Sequence, residues 1–149
     1  MANENINVEA ILPILRKIPL FSNLDETMHR EIIQHIVLMY YPANYVIFNE
    51  GDAGDALYIM KKGRVEVFHK PKEEGDLGKK VSEIGADGFF GEMALVSDIP
   101  RNASVRTLED TEVFILNKED FKQLLSTNTA MAEQISSAVV SRMKDNDKQ

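Results

Sequence analysis

Among its 149 residues the chain has no cysteine and no tryptophan. Without thiols there are no disulfides and no thiolate-held metals or clusters, which fits a reducing, cytoplasmic setting. Cations are outnumbered, since 17 Lys and Arg against 24 Asp and Glu give a formal net charge of -7. The basic stripe that a nucleic-acid surface requires is missing. No apolar run approaches the roughly 20 residues of a membrane span. The stretch Met1 to Asn5 is polar, where a secretion signal would turn basic and then apolar. Only three histidines occur, His29, His35 and His69. None forms a His-x-His pair, so the two histidines and carboxylate of a barrel oxygenase have no candidates. Each histidine is read as a surface or interface residue. No P-loop is present, and no nucleophile and base stand at motif spacing. Neither an enzyme nor a resident cofactor or metal is expected.

What is present suits one globular domain over residues 1–149, with 44% hydrophobic residues to build a core. Val8, Ile11, Leu12, Ile14, Leu15 and Ile18 recur at helical spacing, and Pro13 must either start a helix or kink one. Asn23 to Asp25 offers a cap for a second helix with Met28, Ile32, Ile33 and Ile36 on one face. A helical segment over about 8–36 follows. From Val37 the pattern becomes short apolar runs divided by turn residues: 37–41, 45–49, 56–60, 65–69, 81–84, 104–107 and 111–116. Many short strands with regular turns predict a mainly β roll or barrel over about 37–116. Gly51 and Gly54 can both take positive φ, and Asn44 is the best non-glycine substitute where a left-handed turn is needed. The polar stretch from Lys70 to Lys80 reads as a solvated hairpin loop. Asn117 to Asp120 resembles a capped helix start, and Thr127 to Thr129 interrupts the helix that follows. Met131, Ile135, Val139 and Met143 then lie on one face of a last helix of middling propensity, which puts C-terminal helices over about 118–144. From Lys144 the end is polar and reads as fraying.

The chemistry concentrates in residues 90–105. Gly91 followed by a short helical turn aims unpaired backbone N–H groups at one point, an anion site without a basic side chain. Arg101 can return to that point across a loop and offer its planar fork to phosphate oxygens. Glu92 would be repelled by a bare phosphate, but a ribose 2'-hydroxyl would donate to it. A carboxylate beside an anion seat therefore implies an anion that carries a hydroxyl.

The run Phe90-Gly91-Glu92-Met93-Ala94-Leu95, followed by Pro100-Arg101-Asn102-Ala103-Ser104-Val105, closely resembles the phosphate-binding cassette of cyclic nucleotide-binding domains. Glu50-Gly51-Asp52, Gly54-Asp55, Leu57-Tyr58-Ile59, Gly63 and Val65-Glu66-Val67 also follow the family pattern. Together the likeness runs from about Ile14 to about Met143. It implies a jelly-roll-like β-roll, a double-stranded β-helix, with N-terminal helices and a C-terminal lid helix. It also implies phosphate contacts from the backbone of Gly91, Met93 and Ala94 and the side chain of Arg101, with Glu92 on the ribose. Asn102, Ala103 and Val81 join the implied ligand site, and Val139 and Arg142 are the candidates that close over the base. Asn102 stands where relatives that favour cyclic AMP often have alanine and those that accept cyclic GMP often have threonine. Its amide should admit guanine without selecting it, so cyclic AMP is the expected ligand, with cyclic GMP binding too. The expected function is a sensor or regulatory module, set against two alternatives: a small barrel enzyme, or a ligand-free interaction scaffold. A helix-turn-helix and transmembrane helices are both absent, so the output is expected from an effector domain or partner protein not in this chain. The lid helix is too short for a long dimer coil, which favours a monomer, and the acidic balance and lack of a membrane span leave no nucleic-acid or direct membrane contact expected.

Overall fold

The computed structural model describes residues 6–75 and 78–147, with side chains described as far as Ser141. Helix α1 (Val8–Lys17) begins at Asn7, whose side chain accepts from the Ala10 N–H. Pro13 lies inside the helix and does not start it. Helix α2 (Glu26–Ile33) is capped by Asp25, which accepts from the Met28 N–H at 2.9 Å. The strands are β1 (Val37–Tyr41), β2 (Val46–Phe48), β3 (Ala56–Lys62), β4 (Val65–His69), β5 (Lys79–Ile84), β6 (Phe89–Phe90), β7 (Ser104–Thr107) and β8 (Thr111–Asn117). They form two antiparallel four-stranded sheets, ordered β1-β8-β3-β6 and β2-β7-β4-β5. The anticipated β-roll is the observed architecture.

Strand β3 explains how the layers stack. Its alternate residues Leu57 and Ile59 belong to the cluster formed with Ile11, Leu15, Phe21 and Ile32 of the helical layer. Ala56, Tyr58 and Met60 point the other way and pack between the sheets with Val65, Phe90, Val105 and Val113. A strand covered on both faces reads as a continuous apolar run instead of an alternating one, as Ala56 to Met60 does.

Helices α3 (Lys118–Thr127) and α4 (Thr129–Asp147) complete the chain. Asn117 occupies the cap position of α3, but its side chain makes no cap bond. The Lys118 N–H instead donates to the Asp55 carbonyl at 2.9 Å. Asn128 starts α4 by accepting from the Met131 N–H at 2.9 Å. Met131, Ile135 and Ala138 are buried in the helical core cluster, with Val139 packed at its edge.

Two readings of single residues change. His29 is not a surface residue: it is 1% exposed, and Nε2 donates to the Phe21 carbonyl at 2.8 Å. Asn44 does take positive φ, at 61°, as does Gly51, at 90°. Gly54 is not among the positive-φ residues. It is glycine for space, since a Cβ there would lie 2.8 Å from the Cβ of Ala94.

Candidate functional site

Gly91 links β6 to a single 3-10 turn, Glu92–Leu95, and its φ of 81° lies in the left-handed region. Any Cβ at Gly91 would also meet Nη1 of Arg101 at 2.6 Å and the Ala56 carbonyl at 3.0 Å. Only glycine lets the backbone approach the guanidinium this closely. No side chain caps the turn, and the Ala94 N–H donates to the Gly91 carbonyl at 3.2 Å; the turn borders a pocket of about 290 Å³ lined by Gly91, Met93, Ala94, Ser97, Ile99, Pro100, Arg101 and Asn102. Ile99, 71% exposed, forms part of the rim.

The backbone of Arg101 is fixed by the turn 51–54. Its N–H donates to Asp52 and its carbonyl accepts from Gly51, both at 2.8 Å. The residue is 8% exposed. Nη2 donates to the Ala56 carbonyl at 3.0 Å and reaches Asp55 Oδ1 at 3.5 Å, while Nε–H is buried without a hydrogen-bond partner. Beneath the guanidinium lie Phe48, 4.1 Å from its carbon to the ring centroid, and Tyr58 at 5.8 Å. Tyr58 stacks on Phe90, centroids 5.0 Å apart and planes 6° from parallel.

Burial pulls the Arg101 pKa below its ordinary value, with Tyr58 and Asp55 acting in the other direction. An arginine starts so high that it stays charged. Burial likewise pushes the Tyr58 phenol up to about 12, with Tyr41 and Asp55 adding and Arg101 opposing. The result is a desolvated cation with one neutral acceptor, one distant carboxylate that is 77% exposed, and donors to spare. Such an arrangement suits an incoming anion, because charge-assisted bonds are strongest where water is excluded.

Behind the pocket, Lys118 Nζ donates to the Ser97 carbonyl at 2.7 Å and to Asp98 Oδ1 at 2.6 Å. This ties the cassette loop to the start of α3. It also holds the Asp98 carboxyl below its ordinary pKa.

The family model for the cyclic nucleotide-binding domain matches residues 38–128. The chain belongs to the cyclic nucleotide-binding domain family. A cAMP-dependent protein kinase regulatory subunit from Emericella nidulans is 36% identical to this domain over 111 residues, covering 74% of this chain and 26% of the relative. A cyclic AMP receptor protein from Thermus thermophilus is 30% identical over 129 residues, covering 87% of this chain and 59% of the relative. The chain thus spans about a quarter of the kinase subunit's length. Among solved structures, the regulatory domain of Toxoplasma gondii PKA in complex with cAMP superimposes with a TM-score of 0.69 at 28% identity, covering 78% of this chain and 43% of that one.

Of the residues anticipated from sequence, Gly91, Met93, Ala94, Arg101 and Asn102 line one pocket. Glu92 opens the turn and is half-buried, and Ala103 is buried, but neither is among the residues lining that pocket. Val81 is 52% exposed on β5 and is not part of that lining. Val139 instead lines a second, open groove of about 420 Å³ between α4 and the end of the cassette turn, with Leu95, Val96 and Leu125. The Arg142 side chain lies outside the described residues. Sequence reasoning gave no site role to Phe48, Tyr58 or Lys118, and gave Gly54 a conformational one. Among the described residues no three His, Asp or Glu side chains are grouped as a metal site, and no helix is long and apolar enough to cross a membrane.

Proposed function

We propose that this domain is a cyclic nucleotide sensor with cyclic AMP as its favoured ligand. The observation that carries the reading is Arg101, buried, charged and with Nε–H unpartnered, set against the uncapped Gly91 turn. The phosphate takes the turn's N–H groups and the guanidinium, and Glu92 accepts from the ribose 2'-hydroxyl. Asn102 is exposed at the pocket, where its amide accommodates guanine, so cyclic GMP also binds.

Ligand occupancy closes α4 over the base, with Val139 and Arg142 on the closing face and Val81 contacting from β5. The open groove between α4 and the cassette turn supports this movement by leaving room for it. Because Met131 and Ile135 are already in the core, the moving part begins beyond them. In this reading the chain is one domain, a monomer without catalytic activity that works in the cytoplasm through an effector domain or partner protein. It contacts neither nucleic acid nor membrane.

Calorimetric titration with cyclic AMP and cyclic GMP tests the proposal. Saturable one-site binding of cyclic AMP, at least as tight as cyclic GMP, is expected. A cassette kept only as a scaffold would bind neither. A preference for cyclic GMP well beyond about tenfold, more than one hydrogen bond supplies, would overturn the choice of ligand.

A further inference from the structure

The charge on Arg101 needs a stabilising neighbour that does not compete with the ligand. A guanidinium removed from water is costly to bury, and its usual partner is a carboxylate. A tightly paired carboxylate would, however, occupy the same N–H donors that a phosphate must use. Asp55 is a loose partner, at 3.5 Å and mostly in solvent. The Ala56 carbonyl takes one donor at 3.0 Å, and further support comes from the Phe48 ring, whose centroid lies 4.1 Å from the guanidinium carbon. The negative face of an aromatic ring attracts the cation through the plane of the guanidinium and leaves its edge, where the donors are, unused.

We infer that Phe48 is a positioning residue for the anion site: its ring holds the Arg101 guanidinium flat and charged, with its donor edge presented to the Gly91 turn. This rests on the nucleotide-binding reading and adds a residue to it. Phe48 is itself held in place by other rings, with Tyr58 at 5.7 Å and Phe90 at 5.9 Å between centroids. Those rings come from β3 and β6, and β6 leads directly into Gly91. One aromatic group therefore supports both halves of the seat, the arginine and the turn. It also makes arginine specifically suitable, since a lysine ammonium has no planar face to lay on the ring.

The test compares Phe48→Leu with Phe48→Tyr, which keeps the ring, by calorimetry with cyclic AMP. The Nε–H resonance of Arg101 in the free protein is followed alongside, assigned by its disappearance in Arg101→Lys. Phe48→Leu should weaken cyclic AMP binding about threefold to thirtyfold, the range of a cation–π contact. Phe48→Tyr should stay within about twofold of wild type. The Arg101 resonance should move on Phe48→Leu, as the ring current is lost, and hardly at all on Phe48→Tyr. If leucine leaves the protein unfolded, Phe48→Met takes its place. Equal affinity in wild type and Phe48→Leu, an equal loss in both variants, or an unmoved Arg101 resonance overturns the inference. A wild type that binds no cyclic nucleotide overturns the proposed function instead, and the resonance still decides whether the ring orients the arginine.

Discussion

Replacing Arg101 by alanine should separate binding from stability. In the free protein the side chain contributes a bond from Nη2 to the Ala56 carbonyl at 3.0 Å and the cation–π contact with Phe48. A hydrogen bond to a charged group contributes about 1.5–3 kcal/mol, and a cation–π contact about 0.5–2 kcal/mol. Against these stands the desolvation of a guanidinium that is almost fully buried, a cost of several kcal/mol that the substitution removes. The opposing effects are of similar size, so the urea midpoint should shift little. With nucleotide bound there is no such cancellation. Removing one partner of a desolvated charged pair costs about 2–5 kcal/mol, equivalent to about a 30- to 5,000-fold loss of affinity. Calorimetry with cyclic AMP, with denaturation run in parallel, reads both quantities. A folded Arg101→Ala protein that binds within about threefold of wild type, less than ~0.7 kcal/mol, would refute the placement of the phosphate.

The remaining predictions concern the lid, the base and the support of the cassette. Amide exchange beyond Val139 in α4 should slow when cyclic AMP binds, while Met131 to Ala138, buried at three positions, is already protected in the free state; equal protection throughout in both states would make α4 a plain core helix. Asn102→Ala should lower cyclic GMP affinity more than cyclic AMP affinity, by no more than about tenfold because one hydrogen bond is at stake, and parallel titrations of both nucleotides check this. Gly54→Ala would place a Cβ 2.8 Å from that of Ala94, so it should cost about 1–3 kcal/mol of stability by overpacking and weaken nucleotide binding through the displaced turn. A thermal midpoint and affinity both unchanged would show that the turn is not held by that contact.

The cassette was legible because its parts are local. A glycine before a short helical turn and an arginine ten residues after the glycine need no tertiary information to suggest an anion seat. The strand pattern was equally readable, because turn residues separate each apolar run. Strand β6 was not, since two residues carry no period. The floor of the site was hidden for a related reason. Phe48, Tyr58 and Phe90 come from three different strands, and only the register, which pairs Tyr58 with Phe90, brings two of them together. Lys118 falls within the stretch Asn117 to Asp120 that reads as a capped helix start, and its bonds to Ser97 and Asp98 depend on how α3 docks. Gly54 was assigned a conformational role because its neighbour across space, Ala94, is 40 residues away in sequence. His29 is a different case. It precedes Ile32, Ile33 and Ile36 by three, four and seven residues, so the helical pattern already placed it on the buried face; only its polarity argued for solvent.

The most direct test of the central claim is a map of backbone amide shifts in the wild-type domain as cyclic AMP is added, with 5'-AMP as the control. The account predicts saturable changes centred on Gly91 to Leu95 and Arg101 to Ala103, with smaller ones reaching α4, and much weaker effects from 5'-AMP. Changes centred elsewhere, or none at saturating cyclic AMP, would contradict it.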